Sequence, residues 1–286
     1  MGKKRFFDDR LKYLSFIQNT SEKRAISSEL TPFIASMPQN RTFLRILDAG
    51  TGDGTVKSNV IKTFHKYHPY TSLLITGKEI SYEDLKNTLE KMPDRFVEHP
   101  NLLVTMTNVK FAELGHIENA NKIKNKKVKV YNLILKEDNS FDFHTQINNL
   151  NNFIKKNWGI EIDNKSRTSY SNPCLIRIYR EDHKRYLEPF IDNDYENNNY
   201  DLIIASQAYR AASAVKTKVN NVIAPLMRLL NKSGRLLVTH SCGEDTVEKI
   251  LKIAYKDKKP FPNKAKDIID FLKNNPVGEN SRYSFS

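Results

Sequence analysis

Apolar residues in this chain fall into short unbroken runs, separated by segments whose apolar positions recur at helical spacing. Runs at 45–49, 72–77 and 101–106 read as buried strands. The segments at 55–67 and 81–92 between them read as helices. Two more helices are expected ahead of the first strand, at 7–18 (Leu11, Leu14, Phe16) and 22–35 (Ile26, Leu30, Phe33, Ile34). A second αβ pattern occupies 115–197, with strands at 129–135 and 174–179 and helices at 142–158 and 183–191. An excess of that length with its own elements is not a loose loop. Beyond it come a fourth strand from Tyr200, a fifth ending near Ser241, and helices at 245–254 and 263–275.

The first strand ends in Arg45-Ile46-Leu47-Asp48-Ala49-Gly50-Thr51-Gly52-Asp53-Gly54. Glycine at every second position lets the backbone turn tightly and come close to a ligand that a Cβ would exclude. The helix that follows aims its free N–H groups and partial positive charge at the same place. A strand, a glycine loop and a helix in that order make a nucleotide-cofactor corner. The second strand ends at Glu79, followed by Ile80 and Ser81. A carboxylate there can accept hydrogen bonds from both hydroxyls of a ribose.

The spacing Gly-x-Gly-x-Gly after Leu-Asp-Ala differs from the dinucleotide fingerprint and resembles the cofactor loop of class I S-adenosylmethionine-dependent methyltransferases. Ile75-Thr76-Gly77-Lys78-Glu79-Ile80-Ser81, Thr107-Asn108-Val109, the strand Tyr200 to Gln207, and the turn and strand from Leu226 to Ser241 match the same family in order. The resemblance implies a Rossmann-like, three-layer αβα fold with a mostly parallel sheet and an αβ insertion between the third and fourth core strands. It implies S-adenosyl-L-methionine as cofactor, held by Asp48, Gly50, Thr51, Gly52, Gly54, Glu79, Ile80, Asn108, Val109 and Ser206. Asn108 would face the adenine amino group, and the Val109 N–H the ring. Gly234 would sit in the left-handed turn that ends a helix. The family's closing hairpin has only 282–286 to begin it, which implies an atypical or incomplete C-terminus.

Three parts are expected: an N-terminal helical lid (1–43), a cofactor-binding core (44–114 and 198–286), and an inserted subdomain (115–197) for substrate recognition or dimerisation. Methyl transfer is an in-line displacement, so the protein mainly aligns the reactants. Ligands bind outside the carboxyl ends of such strands, which makes His240 and Tyr209 candidate catalytic groups and Gln207 and Arg210 candidate substrate contacts. No His, Cys or carboxylate cluster has metal-ligand spacing. The Asn/Asp-Pro-Pro-Tyr/Phe motif of enzymes that methylate exocyclic amines is replaced by Ala205-Ser206-Gln207-Ala208-Tyr209.

Composition narrows the acceptor little. Two distant cysteines, Cys174 and Cys242, fit no disulfide or metal framework and point to a reducing, cytoplasmic setting. No apolar span reaches membrane length. A net charge of +13 suits a polyanionic partner such as nucleic acid, and equally a chain rich in lysine and asparagine throughout. The densest basic run, Lys122 to Lys129, reads as a solvated loop or hairpin. The expected activity is methyl transfer to a small molecule enclosed by the insertion and the N-terminal helices. The alternatives are an RNA or protein methyltransferase, or a cofactor-binding subunit without catalysis.

Overall fold

Strands β1 (Phe43–Ala49), β2 (Ser72–Lys78) and β3 (Leu102–Thr107) are buried along almost their whole length. Their sheet is covered on both faces, so unbroken apolar runs are what it requires. The computed structural model describes residues 22–116, 122–162, 168–191, 199–206, 208–240, 261–275, 277 and 283–286. Two short hairpins follow the core strands, β4 (Lys122–Ile123) with β5 (Lys126–Lys127) and β7 (Ile160–Ile162) with β8 (Thr168–Tyr170). The longer strands β6 (Lys129–Leu135), β9 (Cys174–Arg180), β10 (Tyr200–Ser206) and β11 (Leu230–Thr239) join β1–β3 in one seven-stranded sheet. Its order is β11-β10-β1-β2-β3-β9-β6, a Rossmann-like α/β arrangement.

The five strands from β3 to β11 run parallel. One face carries α1 (Glu22–Ala35), α2 (Thr55–Tyr67), α3 (Tyr82–Glu90), α4 (Pro93–Glu98), α5 (Ser140–Asn148) and α6 (Asn151–Asn157). Their apolar residues pack with Leu44 and Ile46 of β1, Leu73 and Ile75 of β2, and Leu102 and Val104 of β3. The opposite face is covered by a 3₁₀ turn at Phe111–His116, by α7 (Lys184–Ile191), and by the helical run α8 (Val215–Lys218) to α9 (Ala224–Met227). Helix α10 (Ala265–Asn274) packs on that run together with Tyr283 and Phe285.

Four expectations need correction. The inserted segment is not a separate unit. β9 pairs antiparallel with β3, β6 pairs parallel with β9, and all seven residues of β9 are buried, so the insertion widens the core sheet. The single helix expected at 81–92 ends early, because Pro93 takes the first position of a new helix, where its missing N–H costs nothing. The helix expected at 142–158 divides into α5 and α6 around Asn149 and Leu150. Gly234 does not end a helix: it lies inside β11, where the register shifts against β10. The left-handed residue is Ser233, with φ 69°. A Cβ on Gly234 would lie 2.6 Å from the Tyr200 carbonyl oxygen, so close strand approach is what requires glycine there. The helices expected at 7–18 and 245–254 lie outside the described residues. Residues 283–286 form no strand.

Candidate functional site

The loop between β1 and α2 takes left-handed backbone angles at Gly50, Gly52 and Gly54 (φ 109°, 56° and 77°). Two of these glycines have different reasons. At Gly54 a Cβ would lie 2.7 Å from the Thr88 Cα, so α3 itself fills the space. At Gly52 only the Lys23 Nζ comes near, 4.0 Å away, so the loop faces open room there.

Hydrogen bonds from several elements hold the loop. The Gly50 and Thr51 N–H groups donate to the Lys78 carbonyl (3.2 and 3.0 Å). Thr88 Oγ1 donates to the Gly52 carbonyl (3.0 Å), and Lys91 Nζ to that of Asp53 (2.7 Å). The Asp53 carboxylate accepts from the Thr55 N–H and hydroxyl at the start of α2, and pairs with Lys23 of α1. Helix α1 therefore starts at the mouth of the loop.

Glu79 stands at the tip of β2 as expected and is nearly buried. Its Oε1 accepts from the Ile80 and Ser81 N–H groups, and Oε2 from the Gly52 N–H, each at 2.8 Å. Burial raises its proton affinity above that of an ordinary carboxylate. The carboxylate thus joins the second strand to the one loop glycine that faces open space.

Beneath the loop lies a charged pair that the sequence reading missed. Asp48, Gly77 and Met106 are register partners across β1, β2 and β3. Their row faces Lys57, which is 0 % exposed in the first turn of α2 and donates to Met106 Sδ at 3.2 Å. A side chain at Gly77 would run into this amine, and its Cβ would sit 2.7 Å from both Met106 Sδ and Thr51 Oγ1. Burial pushes Asp48 up to about 6 and Lys57 down to about 8, each against the attraction of the other. Asp48, expected to touch cofactor, is 1 % exposed and faces Lys57 instead. Two signals were present in the sequence: Lys57 falls on the apolar stripe of α2 with Val60, Ile61 and Phe64, and Gly77 interrupts a strand.

Asn108 and Val109 also need correction. Asn108 Nδ2 donates to the Asn172 carbonyl, and its Oδ1 accepts from the Cys174 N–H, both at 2.9 Å. The amide straps β3 to β9 and is 1 % exposed, with both its polar atoms engaged within the chain. Val109 is fully buried, with its N–H turned to Thr107 Oγ1 at 3.4 Å. No local pattern marks β9 as the strand that occupies this edge. Cys174 itself is buried, and its thiol is pushed up to about 12.

At the other side of the loop, Ser206 ends β10 against Gly50, whose Cβ would be 3.6 Å from the Ser206 carbonyl oxygen. Gln207, Ser241 and Cys242 lie outside the described residues. Arg210 is exposed. Tyr209 and His240 come together with ring centroids 5.9 Å apart. His240 Nε2 lies 2.8 Å from the Asn263 carbonyl oxygen, which can only accept, so in the neutral ring Nε2 carries the proton and Nδ1 the lone pair. That Nδ1 and the Tyr209 hydroxyl are buried, with no partner among the described residues. Burial pushes the phenol up to about 12, so it stays protonated near neutral pH, as an ordinary tyrosine does. Lys218 was also missed: it is buried, lies 5.4 Å from the Tyr209 ring centroid, and donates to the Ala211 carbonyl (2.7 Å).

An open cleft of about 510 Å³ lies apart from the loop, at the start of β6 beside α6. Among the described residues, no group of His, Cys, Asp and Glu could hold a metal ion, and no helix is long and apolar enough to cross a membrane.

No family model matches the chain, and no curated protein matches it. Among solved structures, it is similar to the crystal structure of MnmC2 from Aquifex aeolicus, at 12 % identity and a TM-score of 0.31. That match covers 86 % of this chain and 62 % of the other, so the chain spans under two thirds of that protein's length. It is also similar to the rRNA methyltransferase aviRa from Streptomyces viridochromogenes, at 11 % identity and a TM-score of 0.30, over 74 % of this chain and 71 % of that one.

Proposed function

We propose that the chain is an S-adenosylmethionine-dependent methyltransferase. The observation that carries this reading is the open room at Gly52, a left-handed glycine whose N–H is held by a carboxylate from the next strand. The residues present fit the cofactor. Gly52 leaves space for a ligand against the backbone, the start of α2 points at it, and Glu79 Oε2, which among the described residues accepts only from Gly52, keeps one lone pair for a ribose hydroxyl. S-adenosylmethionine supplies, when bound, a methyl group already activated by the sulfonium charge. The chain's own work is to orient the acceptor and take up its proton. His240 Nδ1 is the base that this reading assigns, with the Tyr209 hydroxyl beside it as donor.

Within the insertion, β6 and β9 extend the sheet, while the β4–β5 and β7–β8 hairpins precede them at the rim where the core strands end. The acceptor is better sought among molecules that can lie along this rim.

Calorimetric titration with S-adenosylmethionine and S-adenosylhomocysteine, beside NAD and ATP, tests the reading. Micromolar binding of the first pair alone is expected; a preference for NAD or ATP sinks it. Glu79→Ala should weaken cofactor binding by about 1–3 kcal/mol. Binding without any conversion to S-adenosylhomocysteine across RNA and metabolite acceptors would favour a non-catalytic subunit.

A further inference from the structure

The lysine run that reads in sequence as a solvated hairpin is built into a cleft, and its construction points to a partner. The β4–β5 hairpin turns through Lys124 and Asn125, both left-handed (φ 49° and 63°), as a two-residue hairpin requires. Ile123 and Val128 anchor it in the core. The same ladder sets Lys122 directly opposite Lys127. Like charges so placed cost stability, and a bound polyanion would offset that cost. From 121 to 136 the chain has lysine at 122, 124, 126, 127, 129 and 136 and no acidic residue. Glu161 pairs with Lys126, and Glu113 with Lys124. Lys127, Lys129 and Lys156 have no ion-pair partner among the described residues.

These three lysines line the cleft with Phe153, Asn152 and the half-exposed Val130. Cationic side chains beside an aromatic ring are what single-stranded nucleic acid selects, through its phosphates and its unstacked bases. The Phe153 ring is held 5.0 Å from that of Tyr131, which fixes it in place. The exposed Asn152 amide offers both a donor and an acceptor, the complement of a ribose 2′-hydroxyl.

The position of the cleft joins it to the candidate site. Lys129 is the register partner of Cys174, and Leu175 that of Thr107. The start of β6 therefore lies at the same end of the sheet as the carboxyl ends of β1, β2 and β3. From β1 to β6 is four strand steps, about 19 Å at the usual spacing. An extended polynucleotide spans that distance, whereas a small acceptor does not.

We infer that this cleft docks single-stranded RNA and leads it along the rim towards the glycine loop. The methylation of that RNA rests on the proposed activity; the docking does not. Fluorescence anisotropy with a labelled, unstructured RNA oligonucleotide, without cofactor, tests it. The triple variant Lys127→Glu/Lys129→Glu/Lys156→Glu should bind at least tenfold more weakly than wild type. Its slope of log affinity against log salt should be shallower by about 2. The triple variant Lys232→Glu/Lys266→Glu/Lys273→Glu makes the same charge change at exposed sites elsewhere and should bind nearly as wild type does. Equal losses in the two variants would overturn the inference, as would equal affinity for DNA of the same sequence or for anionic vesicles. Circular dichroism and cofactor titration of each variant separate misfolding, or failure of the methyltransferase reading, from loss of the groove.

Discussion

Gly52 and Gly54 are two residues apart and share a left-handed backbone, yet substitution should separate them. Gly54→Ala drives a Cβ into the backbone of Thr88 and adds backbone strain. It should cost about 2–4 kcal/mol of stability. Gly52→Val meets only a lysine tip. It should cost about 1–2 kcal/mol of backbone strain and leave the fold intact while abolishing cofactor binding. Denaturant unfolding beside calorimetry checks both, and normal binding by Gly52→Val would make that loop purely structural. Lys57 carries a pH-dependent prediction. Asp48 is raised to about 6, so its ionised form is disfavoured in the folded chain, and its contribution to stability falls as pH rises through 6. Lys57 is lowered to about 8, so its charged form costs stability below that pH, and the cost is relieved above it. Between these values both are charged and each depends on the other. Lys57→Met should therefore destabilise by about 3–5 kcal/mol at a pH near 7, and by clearly less below 6, where Asp48 is protonated. A loss that is the same at both pH values would refute the coupling.

Elements depend on partners far along the chain. The C-terminal end of β3 has Asn108 where the resemblance implies an adenine contact, but Asn108 is bonded to residues that open β9. Asn108→Ala should cost about 2–3 kcal/mol of stability, since it leaves the buried Cys174 N–H without its acceptor. Cofactor affinity should stay within about twofold. A large affinity loss at unchanged stability would return Asn108 to the binding site. Helix α2 was readable from its periodicity, while the function of Lys57 within it was not. Its amine gains meaning only when Asp48, Gly77 and Met106 fall into one row of three strands. Likewise the spacing predicts a glycine-requiring position at 234 but a left-handed turn where the chain forms a strand. Close approach to Tyr200, which is decided by the β10–β11 register, sets its role.

Across the whole molecule, the inserted segment shares its core with β1–β3: Phe143, Ile147, Leu150, Ile154 and Trp158 pack in the same cluster as Ile46 and Leu73. The insertion should therefore unfold together with the cofactor corner in one cooperative transition. Hydrogen exchange should protect the amides of β9 about as well as those of β1 and β2. An earlier, separate loss of protection across 129–180 would restore an independent subdomain. The sequence by itself determined the strand, glycine loop and helix at 45–67, the Glu79 strand tip and the succession of parallel strands. Those features follow from local backbone demands and from periodicities shorter than a helix turn or two. Only the tertiary structure decided that Lys57 lies inside, that Asn108 serves β9, and that Lys127, Lys129 and Lys156 line one cleft at the glycine-loop end of the sheet. The first depends on the register of β1, β2 and β3, and the other two on β9 and β6 joining the sheet beyond β3, a pairing between residues some seventy positions apart. No local pattern encodes such a pairing, because it forms only where the folded sheet offers an open edge.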